Sequence, residues 1–333
     1  MNKLHQKLGK ISVFLIVFGF TALIMSCEGP EGPAGPEGPQ GPAGKDATIN
    51  CQECHNANTL LTAKILQYKQ SGHYTGSAYA RGTSGGCAQC HATSGFQQWT
   101  SGEEVTGTPD PTPPGCRACH NIHETYSEDD YGLRTTAAVT LMGDLTEGGT
   151  FDKGTGNLCA HCHQSRERGY GLEVNGAGNV TISSSHWGPH LGTQANVYIG
   201  NGGFEVPGSE SYGNSPHTNG IANSCVDCHL VDANHTFGPN DDACVTCHGE
   251  DFDYSDFTGE IETLIEELAM HLVDAGVLEG EEGEYHPVSG AETTHNIAGA
   301  LFNYFIVVND GSHGVHNPKY VKALLQNSIE VFE

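Results

Sequence analysis

The pattern Cys-x-x-Cys-His occurs six times in this chain. The copies are Cys51, Cys54 and His55; Cys87, Cys90 and His91; Cys116, Cys119 and His120; Cys159, Cys162 and His163; Cys225, Cys228 and His229; and Cys244, Cys247 and His248. These motifs use every cysteine except Cys27. On a helical turn, residues i and i+3 share a face, so both thiols of a motif can bond the edge of one flat ligand. The next residue lies about 100° further round, which lets its imidazole reach a metal at that ligand's centre. Covalent haem c needs these groups: two thioethers to the porphyrin vinyls and one axial histidine. Zinc ribbons and redox dithiols also use paired cysteines, but neither requires a histidine after every pair. The motifs therefore predict six haem c groups, each held by its two cysteines and ligated on the proximal side by His55, His91, His120, His163, His229 or His248.

Composition points the same way. Only 37% of the 333 residues are hydrophobic, and 45 are glycine and 15 proline, which is thin material for a large side-chain core. Porphyrins would have to form much of the interior. The motifs begin 36, 29, 43, 66 and 19 residues apart, so no fixed-period solenoid is expected.

The first 26 residues read as an export signal, with Lys3, Lys7 and Lys10 ahead of an apolar run from Ile11 to Met25. That run is short for a bilayer core, which needs about 20 residues. Its end, Leu23-Ile24-Met25-Ser26-Cys27, resembles a bacterial lipobox and makes Cys27 the expected site of lipid attachment. Residues 29–46 follow as six collagen-type Gly-x-y triplets. Proline fixes φ near the polyproline II value, so this segment reads as a stiff stalk of up to about 55 Å, with a trimeric collagen helix as the alternative.

The expected organisation is a signal peptide (1–26), an anchor and stalk (27–50), a haem-bearing domain (51–257) and a C-terminal helical segment packed on the haem array (258–333). The predicted fold class is mostly irregular and α: a haem-cored multihaem cytochrome with short helices, loops and a C-terminal helical cap. Leu60 to Tyr68 reads as one short helix. Ile261 to Leu272 has apolar residues at helical spacing, and Ala298 to Val308 and Tyr320 to Phe332 read as two further helices, the last opened by Pro318.

The formal charge is −26, and loss of the three leader lysines makes the remainder more acidic still. Nucleic acid is excluded as a partner, because phosphate binding needs clustered Lys and Arg. An acidic surface suits a basic protein partner or cations.

Each haem also needs a sixth ligand. Methionine raises the potential and a second histidine lowers it. Apart from His5 and the motif histidines, twelve histidines are present, enough for bis-histidine ligation throughout. The candidates are His73, His123, His186, His190, His217, His235 and His316, of which six would serve. His161, inside the fourth motif, and His271, His286, His295 and His313 rank lower.

The run Ser-His-Trp-Gly-Pro-His around His186, with Gln194 and Ser-Pro-His before Cys-Val-Asp-Cys-His, resembles the extracellular multihaem cytochromes of respiring bacteria. So does the ending with Asn303-Tyr304, Asp310-Gly311-Ser312 and Gly-Val-His-Asn-Pro-Lys-Tyr. The resemblance implies electron transfer at the cell envelope, to or from other redox proteins or extracellular acceptors, in anaerobic or extracellular respiration. Some similar hexahaem proteins polymerise, a histidine of one subunit ligating a haem of the next; the anchor and stalk depart from that pattern. The rival reading is a reductase of nitrite, hydroxylamine or a sulfur oxyanion. It needs one open iron, and no Cys-x-x-Cys-Lys motif is present to mark one. A zinc or disulfide protein is the third reading.

Overall fold

The computed structural model describes residues 59–125, 130, 132–143, 149–166, 171–281 and 283–333, all within the second of two units, 47–333. The signal-like segment, Cys27, the Gly-Pro stretch and the first motif, with Cys51, Cys54 and His55, lie outside the described residues.

The chain is mostly short helices and irregular loops with a few two-stranded pairings, the architecture expected of a multihaem cytochrome fold. Three longer helices close it. Helix α1 (Ser255–Asp274) buries Ile261, Leu268, Ala269 and Leu272 on one side. Its acids Glu262 and Glu266 face solvent, and Glu267 is half-buried. Helix α2 (His295–Asp310) is capped by Thr294, whose hydroxyl oxygen accepts from Ile297 N, and stops at Gly311, which adopts φ +67°. Helix α3 (Pro318–Ile329) starts with proline at its first position and Asn317 as cap. The three pack together, burying Leu301, Phe302, Ile306, Tyr320, Leu324 and Leu325. The helix ends differ from the expected spans, because caps and turn residues set them more than the apolar stripe does. No helix among the described residues is long and apolar enough to cross a membrane.

Side-chain core is unevenly distributed. Among the described residues before 139, the buried apolar ones are Ala88, Ala92, Phe96 and Ala118. A small cluster of Val139, Leu141, Phe151, Ala160, Ala195 and Tyr198 surrounds the fourth motif, and the large cluster belongs to the C-terminal helices and the segments packed on them.

Strands pair antiparallel: Val139 with Phe151, Val180 with Thr293, and Leu278 with Pro287. Buried asparagines do the rest. Asn303 accepts from Phe204 N at 2.7 Å and donates to Phe204 O at 2.7 Å. Asn327 treats Glu210 in the same way, at 2.9 and 3.0 Å. Asn317 accepts from Ser215 N at 3.0 Å and donates to Val197 O at 3.1 Å. A side-chain amide offers one acceptor and two donors, so each substitutes for a neighbouring strand along 203–215. These bonds join the segment between the fourth and fifth motifs to the C-terminal helices.

Candidate functional site

Each described motif forms a short helical turn, as in Gly85–His91, Cys116–Cys119, Asn157–Ala160, Cys225–His229 and Asp242–His248. Tertiary bonds fix where each turn ends. Arg134, its side chain 6% exposed, donates to Arg117 O and His120 O and pairs with Glu124 at 2.7 Å, which holds the exit of the third motif. Ala195 N donates to His163 O at 2.9 Å, setting the exit of the fourth.

The motif thiols differ in how far the polypeptide covers them. Cys87, Cys90, Cys119, Cys159, Cys162, Cys225, Cys228 and Cys244 are half-buried, whereas Cys116 and Cys247 are exposed. The sixth-motif turn has no buried residue of its own, so the flank of Cys247 is left for the porphyrin to cover. Cys54, of the first motif, lies outside the described residues, and its expected thioether rests on the sequence pattern alone.

All five described motif histidines stand opposite a different non-motif histidine. Ring centres are 5.8 Å apart for His163 and His73, 6.3 Å for His91 and His190, 6.2 Å for His120 and His235, 6.0 Å for His248 and His217, and 6.2 Å for His229 and His316. Two metal–nitrogen bonds of about 2 Å, plus roughly 1 Å from each nitrogen to its ring centre, place two imidazoles on one metal about 6 Å apart. The Nε2 atoms of His163 and His73 face each other at 3.5 Å.

The other ring nitrogen is anchored in several of these histidines. Nδ1 of His190 donates to Leu191 O at 2.5 Å, that of His217 to Val315 O at 2.8 Å, that of His229 to Phe237 O at 3.0 Å and that of His235 to Ala233 O at 2.8 Å. A carbonyl only accepts, so Nδ1 carries the proton and Nε2 keeps its lone pair for a metal. His163 Nδ1 meets Gln194 Oε1 at 3.3 Å, and His316 Nδ1 meets Asp310 Oδ1 at 2.7 Å.

Burial lowers the pKa of His163 to about 4, and lowers those of His73, His91, His229 and His235, favouring the neutral imidazole that a metal needs. His316 differs: burial lowers its pKa, but the Asp310 carboxylate outweighs that and raises it. His163 and His73 lie deep enough for desolvation to dominate, yet their rings have open surface. They line a hollow.

Two opposed imidazoles leave an equatorial plane that protein donors do not fill. Among the described residues no group of three or more His, Cys, Asp or Glu side chains could hold a metal ion. A zinc ribbon needs four such ligands. The ten described motif cysteines are free, so both thiols of each described motif are available to one ligand edge. The residues fit haem c: two thiols for the porphyrin edge and two imidazoles for the axial positions.

Motifs far apart in sequence meet through their sulfurs. The side chains of Cys90 and Cys162 are in contact, as are those of Cys159 and Cys225. Cys119 is near enough to act electrostatically on both Cys159 and Cys162.

His123 and His186 are not opposite a described motif histidine. His123 is exposed, with φ +57°, three residues beyond His120, and His186 lies at the surface beside Ser185. The lower-ranked histidines have other neighbours: His271 stacks on Phe332, His286 pairs with Glu279, His295 meets Phe204, and His313 pairs with Glu262. His161 packs against Phe96 and Trp99 with both ring nitrogens buried and without hydrogen bonds. Asp310, Val315 and Phe237, which orient ligand imidazoles, carry no motif of their own, although Asp310 stands in the Asp-Gly-Ser run already noted.

No family model matches this sequence, and no curated protein does. Among solved structures, the outer cell wall cytochrome OcwA aligns with a TM-score of 0.52 and 19% identity, over 81% of this chain and 50% of its own. An undecahaem cytochrome from the S-layer of Carboxydothermus ferrireducens aligns with a TM-score of 0.43 and 18% identity, over 79% and 40%. The chain has the fold of a multihaem c-type cytochrome. It spans half the length of the cytochrome whose fold it shares.

Proposed function

We propose that this protein is an exported electron carrier holding six haem c groups, each ligated by two histidines, and anchored at the cell surface through Cys27. The observation that carries this reading is the set of five motif histidines, each facing its own second histidine at 5.8–6.3 Å. Haem c supplies an iron that exchanges one electron between ferric and ferrous states. The chain's own part is to hold ten imidazoles aimed in pairs, with His73, His190, His217, His235 and His316 as distal ligands. Contacts between motif sulfurs favour closely spaced cofactors and hence a continuous path.

We assign His123 to the sixth site, opposite His55, with Cys51 and Cys54 as its thioether donors. Four steps of chain lead from His55 to Thr59, a reach of at most about 14 Å. The helix Thr59–Tyr68 then sends Lys64 to Ala233 O and Gln67 to His235 N, on the side of the molecule where His120 meets His235. His123, three residues after His120, lies on that side.

Partners on this reading are redox proteins or extracellular acceptors, approached across an acidic surface at the end of a lipid-anchored stalk. The outer cell wall location in the name of the cytochrome that shares this fold supports a surface location.

The test is optical and EPR spectroscopy of the oxidised protein with haem counted against protein. Six low-spin haems support a conduit. A high-spin fraction of one in six would place an open iron at the first motif and turn the reading towards a reductase. Replacing His123 with Ala should convert one haem to high spin, and replacing His186 should convert none.

A further inference from the structure

Of the Nδ1 bonds described above, that of His316 is the one to a charged group. Its partner Asp310 has a side chain with 0% exposure and lies 2.7 Å away. The second carboxylate oxygen accepts from Ser312 Oγ, whose oxygen in turn accepts from His316 N at 3.2 Å. Asp310 O accepts from Gln194 Nε2 at 3.1 Å, and Gln194 Oε1 faces His163 Nδ1 at 3.3 Å, so the same framework touches a second ligand pair.

Stability alone does not explain this carboxylate. Asp310 is the last residue of α2, where the helix dipole is negative, and burying a charge is costly even when it is paired. A carboxylate on Nδ1 makes an imidazole more basic and more electron-donating towards a metal on Nε2. A ferric haem carries one more positive charge than a ferrous one. A buried negative charge nearby therefore favours the ferric form, and low local polarity strengthens the effect. His229, on the other side of the same site, bonds a neutral carbonyl, as do His190, His217 and His235.

We propose that Asp310 is a positioning residue that tunes potential, making the His229/His316 site the hardest of the five described pairs to reduce. The proposal rests on the reading of these two histidines as ligands of one iron. Electrons crossing between the fourth motif, whose Cys159 touches Cys225, and the sixth would meet a built-in step at the fifth.

The experiment is an EPR-monitored potentiometric titration of the full-length haem-loaded protein, comparing wild type with Asp310→Asn, Ser312→Ala and His316→Ala. Asp310→Asn keeps the shape and should leave every haem low-spin. It should raise the lowest of the midpoints assigned to these five sites by about tenfold or more in equilibrium constant, about 59 mV for one electron. Ser312→Ala should move the same midpoint upward by less, and carries the test if Asp310→Asn does not accumulate. An unmoved midpoint, or movement of one that is not the lowest, overturns the proposal. His316→Ala should give one high-spin haem; if all haems stay low-spin, the ligand reading itself fails instead.

Discussion

The ring of Phe237 stands edge to face against that of His73, with centres 4.8 Å apart. The same ring meets His235 at 5.6 Å, and the Phe237 carbonyl accepts from His229 Nδ1 at 3.0 Å. One residue, held at φ +57°, thus touches three of the five histidine pairs. Replacing Phe237 with Ala removes two edge contacts worth about 0.5–1.5 kcal/mol each, so a loss of about 1–3 kcal/mol is expected. Thermal unfolding of the haem-loaded protein measures it. The haem at His229 should stay low-spin, because the bond to its ligand comes from backbone.

The fourth motif touches the second and fifth through Cys162 with Cys90 and Cys159 with Cys225, and lies near the third through Cys119. Replacing Cys159 and Cys162 with Ser and His163 with Ala should lower the haem count by one. It should also slow electron exchange among the remaining haems. Replacing Cys244 and Cys247 with Ser and His248 with Ala, at the exposed sixth motif, should lower the count alone. Haem quantitation and pulse radiolysis separate the two outcomes.

Asn303 is fully buried and satisfies both polar groups of Phe204. Asn303→Leu leaves the Phe204 N–H unpaired, while Phe204 O keeps its bond from Val206 N at 2.8 Å, so a loss of about 1–3 kcal/mol is expected. Urea unfolding followed by far-UV circular dichroism would show it as a lowered midpoint.

Gly299 is packed against an aromatic ring: a Cβ there would sit 1.9 Å from Phe204 Cδ1. Gly299→Ala must push the ring aside, at a cost of about 1–3 kcal/mol despite the better helix propensity of alanine. The lowered melting temperature should be recovered in part when Phe204 is also made Leu.

Stability should fall as the solution is acidified below about pH 6.5, the ordinary histidine value. Burial lowers the pKa of His163 to about 4 and depresses those of His73, His91, His229 and His235, so the unfolded chain takes up protons that the folded one refuses. The loss begins as pH drops through the unfolded value and is complete for His163 near 4. Melting temperatures between about pH 7 and 4 should decline.

Much of this was legible in the sequence. The motif turns follow from Cys-x-x-Cys-His itself, and the C-terminal helices follow from apolar spacing with Thr294, Gly311 and Pro318 at their ends. Five of the seven histidines singled out by context stand opposite a motif histidine. Which faces which was not legible: His190 meets His91 and His235 meets His120 across long stretches of loop, and no periodicity records such pairings. Nor does a motif record how well its sulfurs are covered, since the exposure of Cys247 depends on what packs beside its turn. The pairing of Val180 with Thr293 and the asparagine bonds to 203–215 are hidden for the same reason, since each depends on a partner about a hundred residues away.

The lopsided distribution of apolar side chains also implies a sequence of events. From residue 139 onward the chain carries enough buried hydrocarbon to hold itself together, whereas the described stretch before it has four buried apolar residues and little to collapse around. As the chain emerges from its N-terminus, the early cysteines would stay open to whatever enzyme joins them to porphyrin. The later half supplies the template onto which those loaded turns settle, so cofactor attachment comes before final folding at one end of the molecule and beside it at the other.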